Sequence, residues 1–230
     1  MERLGEITLI NDDCMNVLRE LTTHSFDLAI VDPPYFSGPE RRRFYGNAIS
    51  TTSIQRRDYP VSEKWKVPDE EYFKELERVA RYFIVWGCNY YIHQFPPGRI
   101  IWDKCNGNSS FSDCEIAATN LFDSVRLFPF MWNGMLQGKN IYEGRIMQGN
   151  KKKNEVRIHP TQKPVALYEW LLKTYAKKGW KILDTHLGSG SIAIACHYLG
   201  FHLMGIEIDK QYYEGARKRI LDHQRIPTLF

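Results

Sequence analysis

Residues 27–38, DLAIVDPPYFSG, run from an apolar stretch into a carboxylate, two prolines and a phenol. Neither Pro33 nor Pro34 can donate a backbone hydrogen bond, and each holds φ near −65°. Asp32 and Pro33 both precede a proline, which pushes them to extended geometry. The chain therefore turns a stiff, non-helical corner at the end of a buried strand. That corner presents the Asp32 carboxylate, carbonyls without neighbouring donors, and the ring of Tyr35. Taken singly, Asp32 is also a good turn or cap residue, and Tyr35 or Phe36 a packing ring. The costly corner as a whole argues for a task.

A second chemical stretch is ILDTHLGSGSIAIACHYLG, residues 182–200, which reads as strand, glycine-rich turn and helix. Gly188 and Gly190 permit a tight turn and close approach of backbone to a ligand. A lone Gly-x-Gly is equally a plain strand–helix turn. Here a further strand follows and ends in GIEID, with Glu207 at its end. An acidic residue in that place can accept from ribose hydroxyls. The turn lacks the full G-x-G-x-x-G, and Asp184 precedes it. Together these favour a nucleoside with a positively charged centre over a pyrophosphate.

The elements that must position these groups follow from hydrophobic periodicity. Strands are expected at 7–10, 26–31, 83–86, 99–102, 181–183 and 202–206. Helices are expected at 14–22, 70–80 (capped by Asp69), 164–176, 191–199 and 209–223. Strands alternating with helices predict an α/β fold with a mainly parallel sheet. Ligands in such sheets lie beyond the carboxyl ends of the strands, where Asp13, Asp32, Asp184 and Glu207 all fall. Residues 37–66 lose the apolar pattern and carry Arg41, Arg42, Arg43, Arg56 and Arg57. A loop of that length inside a domain is expected to be mobile or functional. Residues 104–158 hold short mixed pieces and the basic run Lys151-Lys152-Lys153.

A chain of 230 residues is expected to form a single domain, 1–230. With 43% hydrophobic and 25% charged residues it has the make-up of a globular protein. No run reaches the ~20 apolar residues of a membrane span, and the N-terminus lacks the apolar core of a signal peptide. The five cysteines are scattered without metal-binding spacing, which predicts reduced thiols, a cytoplasmic location and no metal site. A net charge of +4 is too mild to identify a nucleic-acid partner by itself.

In order along the chain, LINDDCMNVL, DLAIVDPPYF, HPTQKPVALYEWLL, ILDTHLGSGS and GIEIDKQYYEGARKRI resemble the DNA amino-methyltransferases that use S-adenosylmethionine (AdoMet). The DPPY motif precedes the glycine motif, which is similar to the β class of N6-adenine and N4-cytosine methyltransferases, a circular permutation of the commoner order. The resemblance spans most of the chain and implies a Rossmann-like AdoMet-dependent methyltransferase fold. It implies that Asp184, His186, Gly188, Ser189 and Gly190 line the AdoMet pocket, that Glu207 holds the ribose hydroxyls, and that Asp13 reaches the cofactor's adenine. Thr161, Lys163 and Pro164 match the segment beside the methionine end. The chain departs from the family's D-P-F-x-G-S-G-T at Thr185, His186 and Ser191. An imidazole can still stack on a purine.

The same resemblance gives the corner its chemistry: a catalytic set of Asp32, Pro33, Pro34 and Tyr35. The lone pair of an adenine amino group is delocalised into the ring. Asp32 and the Pro33 carbonyl can accept its two hydrogens and favour a tetrahedral nitrogen facing the methyl donor. Tyr35 would stack on the base, with Phe36 as a second candidate ring, and a base in a duplex must be flipped out. Double-stranded DNA is then the expected partner, its phosphates met by Arg41, Arg42, Arg43, Lys151, Lys152 and Lys153. Residues 37–66 become a DNA-facing loop and 104–158 a small target-recognition region. A second copy of the chain and a companion restriction endonuclease are further candidate partners. The leading expectation is methylation of adenine N6. The alternatives are N4-cytosine methylation, methylation of RNA or of a protein glutamine amide, and a non-catalytic DNA-binding protein of the same fold.

Overall fold

The computed structural model describes residues 1–35, 59, 65–107, 112–133 and 136–226. The loop expected at 37–66 therefore lies outside the described residues except for Tyr59, Trp65 and Lys66, and Phe36, Arg41, Arg42, Arg43, Arg56 and Arg57 lie outside them altogether.

In chain order the elements are strands β1 (Glu2–Leu4) and β2 (Ile7–Asn11), helix α1 (Cys14–Glu20), strand β3 (Phe26–Val31), helix α2 (Glu70–Val79) and strand β4 (Ala80–Trp86). Strands β5 (Gly98–Asp103), β6 (Cys114–Thr119), β7 (Val125–Pro129), β8 (Trp132–Asn133) and β9 (Leu136–Gln137) follow. The chain continues with helix α3 (Val165–Tyr175), strand β10 (Lys181–Asp184), helix α4 (Ser191–Leu199), strand β11 (His202–Glu207) and helix α5 (Lys210–Gln224).

Nine strands form one sheet in the order β1-β2-β11-β10-β3-β4-β6-β5-β7, while β8 and β9 pair separately. From β2 to β4 every pairing is parallel. Strands β1 and β6 run against the rest. The expected α/β architecture with a mainly parallel sheet is the one observed.

Alternation along β3 explains the layers. Leu28 and Ile30 point to one face and pack with α3, α4 and α5 through Leu167, Leu171, Ile192 and Ile220. Ala29 and Val31 point to the other and pack with α1 and α2 through Leu18, Phe73, Leu76 and Val79. Both faces are covered, which is why β3 reads as a continuous apolar run. The first six residues of α4, Ser191–Cys196, are all buried, as expected of a helix at the centre of its layer.

The strand register places the chemistry on one edge. Glu207 pairs with Asn11, and Asp184 with Gly205. Val31 pairs with Val85, so Asp32 leaves the sheet beside the end of β4. Asp13, two residues past β2, caps α1 by accepting from the Met15 N–H at 2.9 Å.

The expected short pieces of 104–158 divide in two. Strands β6 and β7 join the central sheet, with β6 inserted between β4 and β5 and antiparallel to both. Residues 130–158 then pass through the β8–β9 pair to an exposed turn at Lys151–Lys153. Among the described residues no helix is long and apolar enough to cross a membrane.

Candidate active site

Asp32 accepts at both carboxylate oxygens. The Lys163 ammonium lies 2.5 Å from Oδ2, and the Tyr35 hydroxyl donates to Oδ1 at 3.4 Å. Burial pushes the Asp32 carboxyl above its usual range, against the pull of Lys163. The Tyr91 hydroxyl donates to the Pro33 carbonyl at 2.6 Å. A carbonyl has two lone pairs, so one acceptor site of Pro33 is taken and one remains.

Tyr35 is a braced ring. It stacks on Tyr90 with centroids 4.7 Å apart and planes 14° from parallel, and meets Tyr91 edge-on. Gly87 lies beneath it with φ +70°, and a Cβ there would come within 2.4 Å of the Tyr35 ring. The turn after β4 must therefore be glycine on two counts, backbone conformation and close approach. Neither Tyr90 nor Tyr91 belongs to a motif. The only signal for them was an aromatic pair following a glycine at a strand end.

Lys163 is buried, with its ammonium also 2.9 Å from Glu115 Oε2 on β6. Glu115 Oε1 in turn meets Lys104 Nζ at 2.5 Å. Burial pushes the Glu115 carboxyl up, but Lys163 and Lys104 outweigh it and hold it down at about 2. The segment that carries Lys163 is pinned from several sides. Trp132 Nε1 donates to the Gln162 carbonyl at 2.8 Å. Glu155 accepts from the Val165 N–H at the start of α3 and pairs with Arg219 of α5 at 2.8 Å. Arg219 also donates to the Ser189 carbonyl and the Ser191 hydroxyl. The HPTQKP segment is thereby tied to the glycine turn.

At the other end of the cleft Glu207 is buried, with both oxygens met by backbone. The Gly188 N–H donates to Oε2 at 2.8 Å and the Asp209 N–H to Oε1 at 2.9 Å. Burial pushes this carboxyl up to about 7. The Ile208 N–H also acts on this carboxylate, and of its about four acceptor sites at least one remains for a hydroxyl donor. Asp184 accepts from the His186 N–H at 3.0 Å, and burial pushes it up to about 8.

His186 ends a relay. The Tyr72 hydroxyl is 2.7 Å from Thr185 Oγ1, which is 2.9 Å from His186 Nδ1. Burial pushes the imidazole down to about 4, so the ring is neutral. A neutral ring carries one proton, and the Thr185 hydroxyl can either donate to Nδ1 or accept from it. Thr185 supplies this hydroxyl where the family pattern has proline. His159 is likewise neutral, pushed down by burial to about 3, and takes the Thr161 N–H at Nδ1.

One cleft joins the two ends. Asp13, Asp32, Pro33, Pro34, Tyr35, Thr161, Lys163, His186, Gly188, Ser189 and Glu207, all singled out in the sequence, line it. Trp65, Lys66, Tyr72, His159 and Tyr168 also line it and come from outside the motifs or from their unassigned positions. Trp65 stacks on Tyr212 at 5.9 Å and lies 5.3 Å from His159. Three expected cofactor residues stand behind the lining. Asp184 is buried beneath His186, and Pro164 caps α3. Gly190, at φ +72°, packs on α5, where a Cβ would meet Ala216 at 3.2 Å. Lys151, Lys152 and Lys153 are exposed. Cys14 also lines the cleft, but burial pushes its thiol up to about 12, which leaves it unreactive. Among the described residues no group of three or more His, Cys, Asp or Glu side chains is arranged to hold a metal ion.

The donor set fits a nucleoside bearing a cation. The cleft offers carboxylates at Asp13, Asp32 and Glu207, aromatic faces at Trp65, Tyr72 and His186, and a glycine turn open to close approach.

Residues 132–218 match the DNA methylase family N6_N4_Mtase. The chain is 28% identical to the type II methyltransferase M.HpaI of Haemophilus parainfluenzae, over 92% of its own length and 73% of that protein. Its fold is similar to that of M1.HpyAVI in complex with SAM, at a TM-score of 0.52 and 18% identity, covering 93% of this chain and 99% of the other. The PvuII DNA methyltransferase, described as cytosine-N4-specific, superimposes at a TM-score of 0.55 with 12% identity, over 99% of this chain and 92% of the other. The chain thus resembles the DNA amino-methyltransferases of N6/N4 type, through the family match over α3 to α5 and through a relative aligned over nearly its whole length, and it shares their fold.

Proposed function

We propose that the chain methylates the N6 amino group of adenine in duplex DNA, with AdoMet as methyl donor. The observation that carries this reading is the pairing of two ends of one cleft. At one end the Glu207 carboxylate has free acceptor capacity beside the glycine turn. At the other, Asp32 and the Pro33 carbonyl sit beside the braced Tyr35 ring.

When bound, AdoMet supplies a methyl carbon made electrophilic by the adjoining sulfonium. Glu207 accepts from the ribose hydroxyls, Asp13 reaches the adenine moiety, and His186 offers a flat neutral ring. At the target, the amine replaces the long Tyr35 hydrogen bond at Asp32 Oδ1, which at 3.4 Å is near the limit of such bonds and is readily exchanged. The remaining lone pair of Pro33 takes the second hydrogen. Asp32 receives the proton that the nitrogen releases. Lys163 holds Oδ2 in place throughout. Tyr35 stacks on the flipped base, and Tyr90 stacks behind it.

DNA phosphates are met by Lys151, Lys152 and Lys153 and by Arg41, Arg42 and Arg43, with 104–158 contributing to target recognition. A companion restriction endonuclease fits the likeness to a type II methyltransferase. Methylation of cytosine N4 is the second reading, because the two acceptors suit any exocyclic amine and the PvuII enzyme has this fold. Incubation of duplex DNA with labelled AdoMet, followed by nucleoside analysis by mass spectrometry, separates the two. N6-methyladenine is expected. N4-methylcytosine alone would replace the first reading by the second, and no label in DNA would refute both.

A further inference from the structure

Asp32, Lys163, Glu115 and Lys104 form an unbroken row of alternating charge. The successive separations are 2.5, 2.9 and 2.5 Å. Only the first two residues belong to recognised motifs. Glu115 lies on β6, the strand that the fold inserts between β4 and β5. Its Oε2 is buried without a well-aligned hydrogen bond, so the Lys163 charge is what compensates it. The Lys163 side chain is 2% exposed and lies over the Trp86 ring at 5.6 Å, so water cannot take the place of either carboxylate.

A buried ammonium facing one carboxylate would draw on that carboxylate alone. Asp32 would then be firmly ionised but a weak acceptor for an incoming amine. A second carboxylate divides the attraction of Lys163. Lys104 limits the second carboxylate in turn, so the row stays balanced.

We propose that Glu115 is a positioning residue for methyl transfer: acting through Lys163, it keeps Asp32 available as a hydrogen-bond and proton acceptor. The inference rests on the transfer reaction proposed above. The other titratable groups that act on Asp32 are Tyr35 at the corner, Tyr91 after β4, Tyr72 on α2, Tyr168 on α3 and Asp184 on β10. The tyrosines are all held neutral, since burial raises their hydroxyls. Burial likewise holds a proton on Asp184 up to about 8. Below that point Lys163 and Glu115 are the charged groups that set the balance at Asp32.

The test reads Asp32 directly. Protein carrying ¹³C-carboxyl aspartate is titrated by NMR, and the Asp32 resonance is identified by its loss in Asp32→Asn. Glu115→Gln leaves Lys163 to Asp32 alone, and the Asp32 midpoint moves to lower pH by about one unit or more. Lys104→Met leaves the Glu115 charge less compensated, and the midpoint moves to higher pH. Lys104 ends the row, away from Asp32 and the buried Lys163, so this variant remains informative if Glu115→Gln fails to fold. Midpoints that stay in place, or that move the same way in both variants, overturn the proposal. A wild-type chain that transfers no methyl group refutes the proposed function, whereas the two midpoints decide the role of Glu115 independently.

Discussion

Asp32, partly exposed at the cleft wall, and Glu207, buried, are both carboxylates at strand ends of one sheet, yet they are compensated by different means. The partners of Asp32 are side chains, the Lys163 ammonium and a long bond from Tyr35. Those of Glu207 are backbone N–H groups of Gly188 and Asp209. Side-chain partners can yield to an incoming group, whereas backbone partners are held by the fold. The first arrangement suits an acceptor that must exchange partners during a reaction. The second suits a fixed clamp. Their difference is the physical basis for assigning transfer to one corner and cofactor binding to the other.

The sharpest way to break this division is Asp32→Ala. Methyl transfer is expected to fall by about 10³-fold or more, since an acceptor at the reacting atom is removed. AdoMet affinity measured by calorimetry is expected to change little. Loss of cofactor binding from a folded variant would show that the corners are not separable. Glu207→Ala is the converse. It is expected to weaken AdoMet binding by about 1.5–3 kcal/mol, the scale of a charged hydrogen-bond pair, while transfer at saturating AdoMet persists. An unchanged dissociation constant would make Glu207 a brace for the glycine turn only.

Next in size is the pH dependence of the ligand-free protein. Burial raises Asp184 from 3.8 to about 8 and Glu207 from 4.5 to about 7, so each favours folding at low pH and loses that contribution as pH rises through its folded value. His159 and His186 are lowered from 6.5 to about 3 and about 4, and contribute stability that is lost as pH falls through the same interval. Between 4.5 and 6.5 the two pairs oppose each other. Above 6.5 only the carboxylates act, so stability is expected to fall by roughly 2 kcal/mol toward pH 8. Denaturant titrations across this range measure it, and Asp184→Asn is expected to flatten the slope. A slope unchanged in that variant would remove Asp184 from the account.

The smallest effect is expected from replacing Lys151, Lys152 and Lys153 with alanine. DNA binding weakens similarly on all sequences, and the slope of log K against log salt falls by up to about 3, close to one unit for each phosphate that is no longer neutralised. Fluorescence anisotropy on a duplex is the measurement, and an unchanged salt slope would leave these lysines as solvated surface.

Where local pattern decides, the reading from sequence was close. The helix expected at 70–80 spans Glu70–Val79, and the strand expected at 181–183 spans Lys181–Asp184. Asp32, Gly188 and Glu207 were legible as cleft residues for the same reason, because each lies at or just after the end of a clearly patterned strand. In 104–158 the pattern failed. Val125 and Leu127 are exposed on β7, so the alternation that marks a half-buried strand carries no clear contrast there.

By itself the sequence determined the α/β class, the corner at Asp32, the glycine turn and the carboxylate at the end of β11. These depend on stiff dihedrals, strand periodicity and positive φ, which act within a few residues. Only the tertiary structure decided the strand order that brings Glu115 and Lys104 to Lys163, the stacking of Tyr90 behind Tyr35, and the Tyr72–Thr185–His186 relay. It also decided that Gly190 faces α5 while Gly188 faces the cleft. Those interactions join residues far apart in the chain, such as Tyr72 and Thr185, 113 positions apart. They exist because sheet pairing and burial of the two apolar layers fix where each strand end lies, a choice that no local propensity encodes.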